Sequence, residues 1–388
     1  MRMKVPAALS VAALFALAAG ADEAASEISD DAQDFRANIL EMTGSFIEDS
    51  ESPYALGYWN QLVSMAGRED LIGDVDPRTP RTCAEIDGDP IETLAGMAAD
   101  TSIVIINEDH ARPAHREFIA KLAERLRADG YEYYAAESFS HDITERPTGP
   151  STIADGYYVR DPVYGRLLET VRALGYTLVP YEIKEDQRAA PDADTDTQID
   201  TRETAQVDNL LSALLAEKPD ARILIHVGHS HVAERPVPDE DGTLWMAARL
   251  KARTGIDPLT ISQTMCTGGG ASPVLAEAAI GTERHEPFTD ILVGQPAIEF
   301  KNGRPAYRYD DGAVGVDVPE ALLPTEAPIL IEARPVGAAD NVVPSDRLYL
   351  RPGETLPLVL TPGTYEVRSF DETGVVAGPE TVEVSGGP

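Results

Sequence analysis

Basic side chains are scarce in this chain of 388 residues. Only 32 lysines and arginines stand against 66 aspartates and glutamates, which gives a formal net charge of −34. Such a surface repels phosphate, so the composition argues against nucleic acids and anionic membranes as partners. The acidic residues are spread along the chain instead of being gathered in a tail, a pattern typical of a solvated surface.

Cysteine is equally scarce, with Cys83 and Cys266 as the two thiols. Such a pair can form one disulfide in an exported protein, but the sequence alone does not decide whether the two residues meet. Neither cysteine lies in a recognisable nucleophile motif, so a catalytic thiol is not expected.

Long apolar runs are confined to the N-terminus. Residues 5–19 follow Arg2 and Lys4 and have the length of a secretory apolar region, which is too short to span a bilayer comfortably. Ala19-Gly20-Ala21 fits a small-x-small cleavage site. We therefore predict a signal peptide over residues 1–21, a periplasmic or secreted location and no transmembrane anchor after cleavage; an uncleaved anchor or a buried helix is the alternative.

Several catalytic signatures are also missing. The sequence contains no glycine-rich phosphate loop and no G-x-S-x-G elbow, which weakens a serine-hydrolase interpretation. The helical H-E-x-x-H motif of zinc proteases is absent too. The chain has no internal repeat, so repeat architectures are not predicted.

The chain length and the changes in residue pattern along the chain predict several folded units. Residues 22–80 are predicted to form peripheral helices and a linker, because Phe35, Ile39, Met42 and Phe46 recur at near-helical spacing before a stretch rich in proline and charge. Residues 81–318 are predicted to form an α/β domain. Residues 319–388, with a Pro-Gly turn ahead of an alternating strand, are predicted to form a small β-sandwich-like accessory domain.

Strands and helices alternate in the middle of the chain. The apolar runs predict strands at 103–106, 133–136, 177–181, 223–227 and 259–262, and amphipathic periodicity predicts helices at 114–128, 162–174, 201–216 and 244–253. The expected fold is α/β, a mostly parallel sheet with helices on both faces. The acidic stretch 184–200 is predicted to be a mobile loop, either a lid or surface decoration.

The first four of these strands are each followed by polar side chains that carry chemistry. Ligands bind beyond the carboxyl ends of parallel strands, so these residues are expected to share one site. They are Glu108, His110, Glu137, His141, Glu182, His229 and His231. Arg202, Gln206 and Asn209 form one stripe on the helix at 201–216, and Arg202 lies at its start, near the same edge. His226, inside a strand, is expected to be a buried, satisfied histidine. His115 opens a helix and is not expected to touch the site, although such a contact is the alternative.

This cluster supports two kinds of chemistry. A histidine beside glutamates is oriented and made more basic, which suits a general base that activates water. Glutamate and histidine together also form plausible sites for a divalent metal such as zinc, manganese or iron. The candidate metal ligands are Glu108, His110, Glu137 and His231.

The run IVIINEDHARPAHREFIAKLAERL from Ile103 to Leu126, followed by AAES, resembles the superfamily of erythromycin esterases, haem-binding ChaN proteins and TIKI/TraB metalloproteases. Their first strand typically ends in Gly-Glu-x-His, and a glutamate closes the second. Here Asn107 replaces the glycine, which puts the tight backbone turn in question, although asparagine tolerates left-handed conformations. Arg202-Glu203 with Asn209, and Gly228-His229-Ser230-His231, resemble two later motifs. The resemblance covers about residues 90–310.

The resemblance implies a mostly parallel α/β fold and a Glu/His site, but not one chemistry. Together with the predicted signal peptide, it leads to the hypothesis of an exported hydrolase of an ester, lactone or peptide bond, with or without a divalent metal. It implies His110 as general base or metal ligand, Glu108 and Glu137 as its partners, and His231 as second ligand or acid. Arg202 would bind the carbonyl or carboxylate of a small-molecule or peptide substrate. Further substrate contacts are expected from His229, Asn209, Glu182 and His141.

Two alternatives remain open. ChaN-like relatives imply haem or iron binding without turnover. A degenerate scaffold, in which the C-terminal β region performs the function, is the other alternative. The sequence predicts no oligomeric state.

Overall fold

The computed structural model describes residues 25–44, 53–72, 82–236, 243–278 and 288–386. The predicted signal peptide, Phe46 and the predicted linker fall outside these ranges. Within them, no helix combines the length and the apolar character needed to cross a bilayer.

A sheet of eight strands forms the centre of the α/β region, in the order β1-β7-β8-β6-β2-β5-β3-β4. The strands β8, β6, β2, β5, β3 and β4 are parallel, whereas β7 runs antiparallel to β8 and β1. The bounds are β1 (Glu85–Ile86), β2 (Ile103–Glu108), β3 (Tyr133–Ala136), β4 (Thr177–Pro180), β5 (Ile223–Gly228), β6 (Leu259–Ser262), β7 (Val274–Glu277) and β8 (Ile291–Gly294). The predicted mostly parallel α/β fold is confirmed.

Helices cover both faces of this sheet. The strands β2 and β5 are buried along their whole length because apolar clusters lie on either side of them. One cluster includes residues of α3, α4 and α5, and the other includes residues of α6 and α7. The described helices are α1 (Ala25–Gly44), α2 (Pro53–Met65), α3 (Pro90–Ala98), α4 (Ala114–Ala128), α5 (Pro162–Ala173), α6 (Thr195–Leu210) and α7 (Met246–Thr254).

The prediction of a loop over residues 184–200 is wrong for its last third. Helix α6 begins at Thr195, six residues before the predicted start, because the side chain of Asp194 accepts a hydrogen bond from the backbone N–H of Thr197. This aspartate satisfies a donor that the first helical turn would otherwise leave unpaired. The early turns are polar and lack an apolar stripe, so periodicity alone does not reveal them.

The C-terminal region is rich in β-structure, as predicted. A four-stranded antiparallel sheet has the order β13-β12-β15-β16, and β11 pairs with β14. The apolar side chains of both sheets share one core, which gives a sandwich-like arrangement. The bounds are β9 (Phe300–Lys301), β10 (Arg304–Pro305), β11 (Val314–Val316), β12 (Ile329–Pro335), β13 (Asp346–Leu350), β14 (Leu358–Leu360), β15 (Gly363–Asp371) and β16 (Gly374–Val384).

The N-terminal helices are not peripheral, contrary to the prediction. Ile39 of α1 is fully buried and belongs to an apolar cluster that also contains Leu330 of β12 and Phe370 of β15. The guanidinium of Arg36 donates to the buried carboxylate of Glu332 at 2.9 Å. Helix α1 therefore joins the α/β region to the C-terminal sheet.

Cys83 and Cys266 form a disulfide, with their Cα atoms 5.1 Å apart. The bond connects the segment before β1 to the segment after β6. It settles the pairing that the sequence leaves open.

Candidate functional site

The carboxyl ends of β2, β5, β3 and β4 lie side by side at one edge of the sheet. Glu108, the last residue of β2, is in register with Gly228, the last residue of β5. Glu137 follows β3 directly, and Glu182 follows β4 after one intervening residue. The structure thus brings the predicted strand-end residues together.

Glu108 is the buried anchor of the site. Its carboxylate accepts hydrogen bonds from Arg116 Nε and Nη2, from His110 Nδ1 and from His226 Nε2, at distances of 2.7–3.0 Å. Burial alone would raise the pKa of Glu108, but Arg116 and His226 outweigh it and hold the pKa well below its usual value. Glu108 is therefore a permanent anion.

His110 is oriented by Glu108 and by two aromatic rings. Because Glu108 can only accept, Nδ1 of His110 carries the proton of their 2.7 Å hydrogen bond. The imidazole stacks on the ring of Tyr158, with centroids 3.8 Å apart, and meets His229 edge to face. Within the described chain, Nε2 of His110 has no hydrogen-bond partner. Its lone pair is left as the available base.

His226 lies beneath this pair. It is buried, as predicted, and its Nδ1 accepts from the hydroxyls of Tyr134 and Tyr164 while its Nε2 donates to Glu108. The histidine is thus satisfied in the core and also helps to fix Glu108. His115 is buried as well and touches the site from below, where its Nδ1 accepts from the backbone N–H of Asp109 at 3.0 Å.

Glu137 faces His110 across Gly228. One oxygen of Glu137 accepts from the backbone N–H of Gly228 at 2.7 Å, and the other accepts from Arg202. A Cβ at Gly228 would lie 2.5 Å from His110 Nε2 and 3.3 Å from Glu137 Oε2, so only glycine lets both side chains reach this point. Burial opposes ionisation of Glu137, but His231, Arg202 and His110 outweigh it and lower its pKa.

Arg202 connects the carboxylates of the site. Its guanidinium donates to both oxygens of Glu182, at 2.9 and 2.6 Å, and to Glu137 at 2.5 Å. Gln206, one helical turn further along α6, also donates to Glu182. Two carboxylates therefore share the charge of Arg202, which suits contact with a neutral carbonyl better than binding of a substrate carboxylate.

A second pair of histidine and buried carboxylate lies on the far side of Glu137. His231 Nδ1 is 3.0 Å from Glu203, and its Nε2 lies 3.0 Å from Arg202 Nη1 and 3.6 Å from Glu137. Trp245 packs edge to face on the imidazole. Burial lowers the pKa of His231, but Glu203 and Glu137 outweigh it and leave the pKa raised above 6.5. His231 is suited to hold a proton that His110 does not.

The predicted substrate-binding residues occupy different places. His229 is exposed at the rim, with a positive φ of 33°, and Asn107 holds its carbonyl at 2.7 Å. His141 is exposed and begins a short 3-10 helix beside β4. Asn209 is buried, and its amide donates to the backbone carbonyl of Glu182 at 2.8 Å, so it fixes the exit of β4.

Asn107 does not form a tight left-handed turn. It lies in β2, and the left-handed residue is His229, 122 positions further along the chain. The Asn107 amide supports that strained backbone, and its side-chain oxygen accepts from the backbone N–H of Gln263 at 2.7 Å. Asn107 therefore ties the ends of β2, β5 and β6 together.

Sequence reasoning gave no role to Arg116 or Glu203, although both contact the site histidines or their partners. Each is charged but lies on the apolar stripe of its helix. Arg116 begins a stripe spaced i, i+3, i+7 and i+10, and Glu203 begins one spaced i, i+4, i+7 and i+11. A charged residue on an apolar stripe must find a buried partner, and this is the sequence signal for both residues. Tyr158 gives no comparable signal in the sequence.

The predicted metal donors are occupied by other groups. Both oxygens of Glu108 and Glu137 accept hydrogen bonds, and Nδ1 of each of His110 and His231 is used by a carboxylate. Within the described ranges, no group of three or more histidine, cysteine, aspartate or glutamate side chains is arranged to hold a metal ion. A metal at Glu108 or Glu137 would have to compete with Arg116 or Arg202, and Nε2 of His110 is the predicted donor atom that has no hydrogen-bond partner in the described chain.

No family model and no curated protein matches the chain. The type III effector HopBA1 aligns with 19% identity and a TM-score of 0.35 over 55% of this chain and 97% of its own. A structure of bacterial protein toxins aligns with 14% identity and a TM-score of 0.33, over 46% of this chain and 37% of its own. RRSP, a MARTX toxin effector domain from Vibrio vulnificus, aligns with 13% identity and a TM-score of 0.35, over 70% and 47%. Likenesses this weak assign no activity.

Proposed function

We propose that this protein is an exported hydrolase that cleaves an ester, lactone or peptide bond with water activated by His110. The observation that carries the proposal is a pair of histidines, His110 and His231, each locked by its own carboxylate on opposite sides of Glu137. The resemblance of the strand-end motifs to erythromycin esterases supports the same reaction class.

His110 acts as the general base. Glu108 fixes the proton on Nδ1 and leaves the lone pair of Nε2 free beside Gly228, where it can take a proton from water as the water oxygen attacks the substrate carbonyl carbon. Glu108 also stabilises the imidazolium that forms. The buried Arg116 keeps Glu108 ionised, so the carboxylate does not take the proton itself.

His231 supplies the proton to the leaving group from Nε2, which carries this proton only when the hydrogen bond that Nε2 accepts from Arg202 Nη1 is broken. Its raised pKa keeps a larger protonated fraction near neutral pH than an ordinary histidine has. Arg202 lies between His231 and Glu137 and stabilises the negative charge that develops on the carbonyl oxygen. The proton that His110 gains and the proton that His231 loses balance over one turnover, and solvent exchange restores both.

The test is hydrolysis of a panel of nitrophenyl esters, lactones and short peptides by the wild type and by His110→Ala and Glu137→Gln. We expect both variants to lose about 10²–10⁴-fold in kcat/KM, while circular dichroism shows an intact fold. Full activity in both would show that the site is assigned wrongly. The mechanism uses no metal, so dialysis against a chelator should leave the rate unchanged; a stoichiometric transition metal in the active protein would contradict it.

Haem binding is the second candidate, because the free Nε2 of His110 beside the Tyr158 ring is also the atom that would ligate iron. Haem titration distinguishes the two functions. A Soret band that appears in the wild type and is lost in His110→Ala, without turnover of any substrate, would favour the binding function.

A further inference from the structure

The segment between β3 and α5, residues 138–161, lies against the site and is called here the Tyr158 loop. The ring of Tyr158 is buried and stacks on His110 with an interplanar angle of 12°. Burial raises the pKa of the Tyr158 hydroxyl well above 10, so the residue stays a neutral phenol. Its contact with His110 is a packing contact.

The stacking on Tyr158 fixes the orientation of the His110 ring plane, which the hydrogen bond to Glu108 leaves free. The hydrogen bond to Glu108 fixes the position of Nδ1 of His110, but the imidazole could still rotate about that bond. Tyr158 covers one face of the ring, and His229 meets it edge to face. Together they fix the plane of the imidazole and so the direction of the Nε2 lone pair, on which proton transfer depends.

The other side of the Tyr158 loop is held by the C-terminal sheet. The segment between β12 and β13 pairs with the loop through the backbone. The N–H of Ile153 donates to the carbonyl of Asn341 at 2.9 Å, and the N–H of Val343 donates to the carbonyl of Ser151 at 2.9 Å. The Tyr158 loop therefore pairs with the C-terminal region on one side and lines the site on the other.

Arg347 of β13 makes the second attachment. Its Nη1 donates to the carbonyl of Arg160, two residues after Tyr158, at 2.9 Å. Its Nε donates to Glu332 of β12 at 2.7 Å, and the side chain is buried. A buried ion pair of the C-terminal sheet thus holds the chain next to Tyr158 in place.

We propose that the C-terminal sheet is a positioning device for His110, acting through Arg347, the carbonyl of Arg160 and the ring of Tyr158. The C-terminal region is then a structural part of the active site, not a separable accessory domain. The kinetic consequence rests on the proposed hydrolase function, whereas the orientation of His110 can be measured without any substrate.

The test uses the full chain and four variants. Tyr158→Leu removes the ring, and Tyr158→Phe keeps it. Arg347→Met removes the hydrogen bond to the carbonyl of Arg160. Arg304→Met is the matched control, because Arg304 is another buried arginine of the C-terminal region, paired with Asp346 and with the carbonyl of Pro357. In the described structure no hydrogen bond or ion pair joins it to the Tyr158 loop.

Two readouts are recorded for each variant: kcat and KM on the best ester of the panel, and the NMR shifts of the His110 ring, assigned by their loss in His110→Gln. We expect Tyr158→Leu to lower kcat about 10–100-fold with KM nearly unchanged, and Tyr158→Phe to restore kcat to within about threefold. Arg347→Met should lower kcat by a smaller factor and move the His110 shifts toward those of Tyr158→Leu.

Arg304→Met should lower the melting temperature yet leave kcat and the His110 shifts as in the wild type. Equal His110 shifts in Arg304→Met and Arg347→Met would overturn the proposal, as would unchanged shifts in Tyr158→Leu. If the wild type cleaves no substrate, the proposed function fails, but the NMR comparison still decides whether the C-terminal sheet orients His110.

Discussion

The substitution Glu108→Gln probes the centre of the site. Glu108 accepts four hydrogen bonds, two from Arg116 and one each from His110 and His226. A glutamine offers one acceptor oxygen, and its amide N–H groups would point at groups that are themselves donors. Arg116, which has no exposed surface, would keep Asp161 as its one carboxylate partner, at 3.2 Å.

The loss of these hydrogen bonds sets the expected loss of folding stability. Removing one partner of a buried ion pair leaves an uncompensated charge and typically costs about 3–5 kcal/mol of stability. The proton on His110 would also lose its fixed acceptor. An imidazole that is free to change tautomer supplies the correct base only part of the time, so kcat/KM should fall about 10²–10⁴-fold.

A matched control separates the two effects. Asp346 is also buried, and it accepts from Arg304, Arg308 and the backbone N–H of Val359 at 2.8–3.4 Å, without a hydrogen bond to the site histidines or to the Tyr158 loop in the described structure. Asp346→Asn should therefore destabilise the protein by a similar amount. Any difference in turnover per folded molecule between the two variants then reports on His110.

Urea unfolding measures the stability of both variants. Initial rates, recorded without denaturant at a temperature where both variants are fully folded, measure turnover. Nitrogen-15 NMR of the imidazoles reports the tautomer of His110. Equal turnover in the two variants would show that Glu108 does not act through His110. A proton on Nε2 of His110 in the wild type would contradict the assigned role, since that nitrogen could then not act as the base.

Three further predictions follow from single contacts. Gly228→Ala places a methyl group 2.5 Å from His110 Nε2, so turnover should fall at least tenfold with little loss of melting temperature, and unchanged kinetics would refute the close approach. Glu203→Gln removes a carboxylate that raises the pKa of His231, so the alkaline limb of the pH profile of kcat should move to lower pH. The contribution of His231 to folding stability is present below pH 6.5 and is lost as the pH rises through its raised pKa. Burial lowers the pKa of His115 to about 4, so the unfolded chain binds its proton first and stability should fall by about 3 kcal/mol as the pH drops from 6.5 to 4. Urea titrations at several pH values, with His115→Gln as the variant that lacks this slope, check the last prediction.

Local patterns were reliable guides to the elements of the α/β region. Strands β3 and β6 and helix α4 begin and end at the predicted residues, because short buried strands and apolar helical stripes follow directly from side-chain order. Helix α6 was placed too late, since a polar helix start depends on one capping contact. The N-terminal helices were expected to be peripheral, because periodicity shows that a helix has an apolar face but not what that face contacts.

Strand order along the chain and the tendency of parallel strands to align their carboxyl ends were enough to predict that Glu108, His110, Glu137 and His231 share one edge. These two features therefore located the site without any knowledge of side-chain contacts. The fold was needed to show which nitrogen of His110 is free, because that depends on Glu108 and on the Tyr158 ring. It also decided that Glu203 partners His231 and that Arg116 anchors Glu108. Hydrogen bonds such as that between His226 and Glu108 join residues 118 positions apart, and periodicity carries no information about distance across the fold.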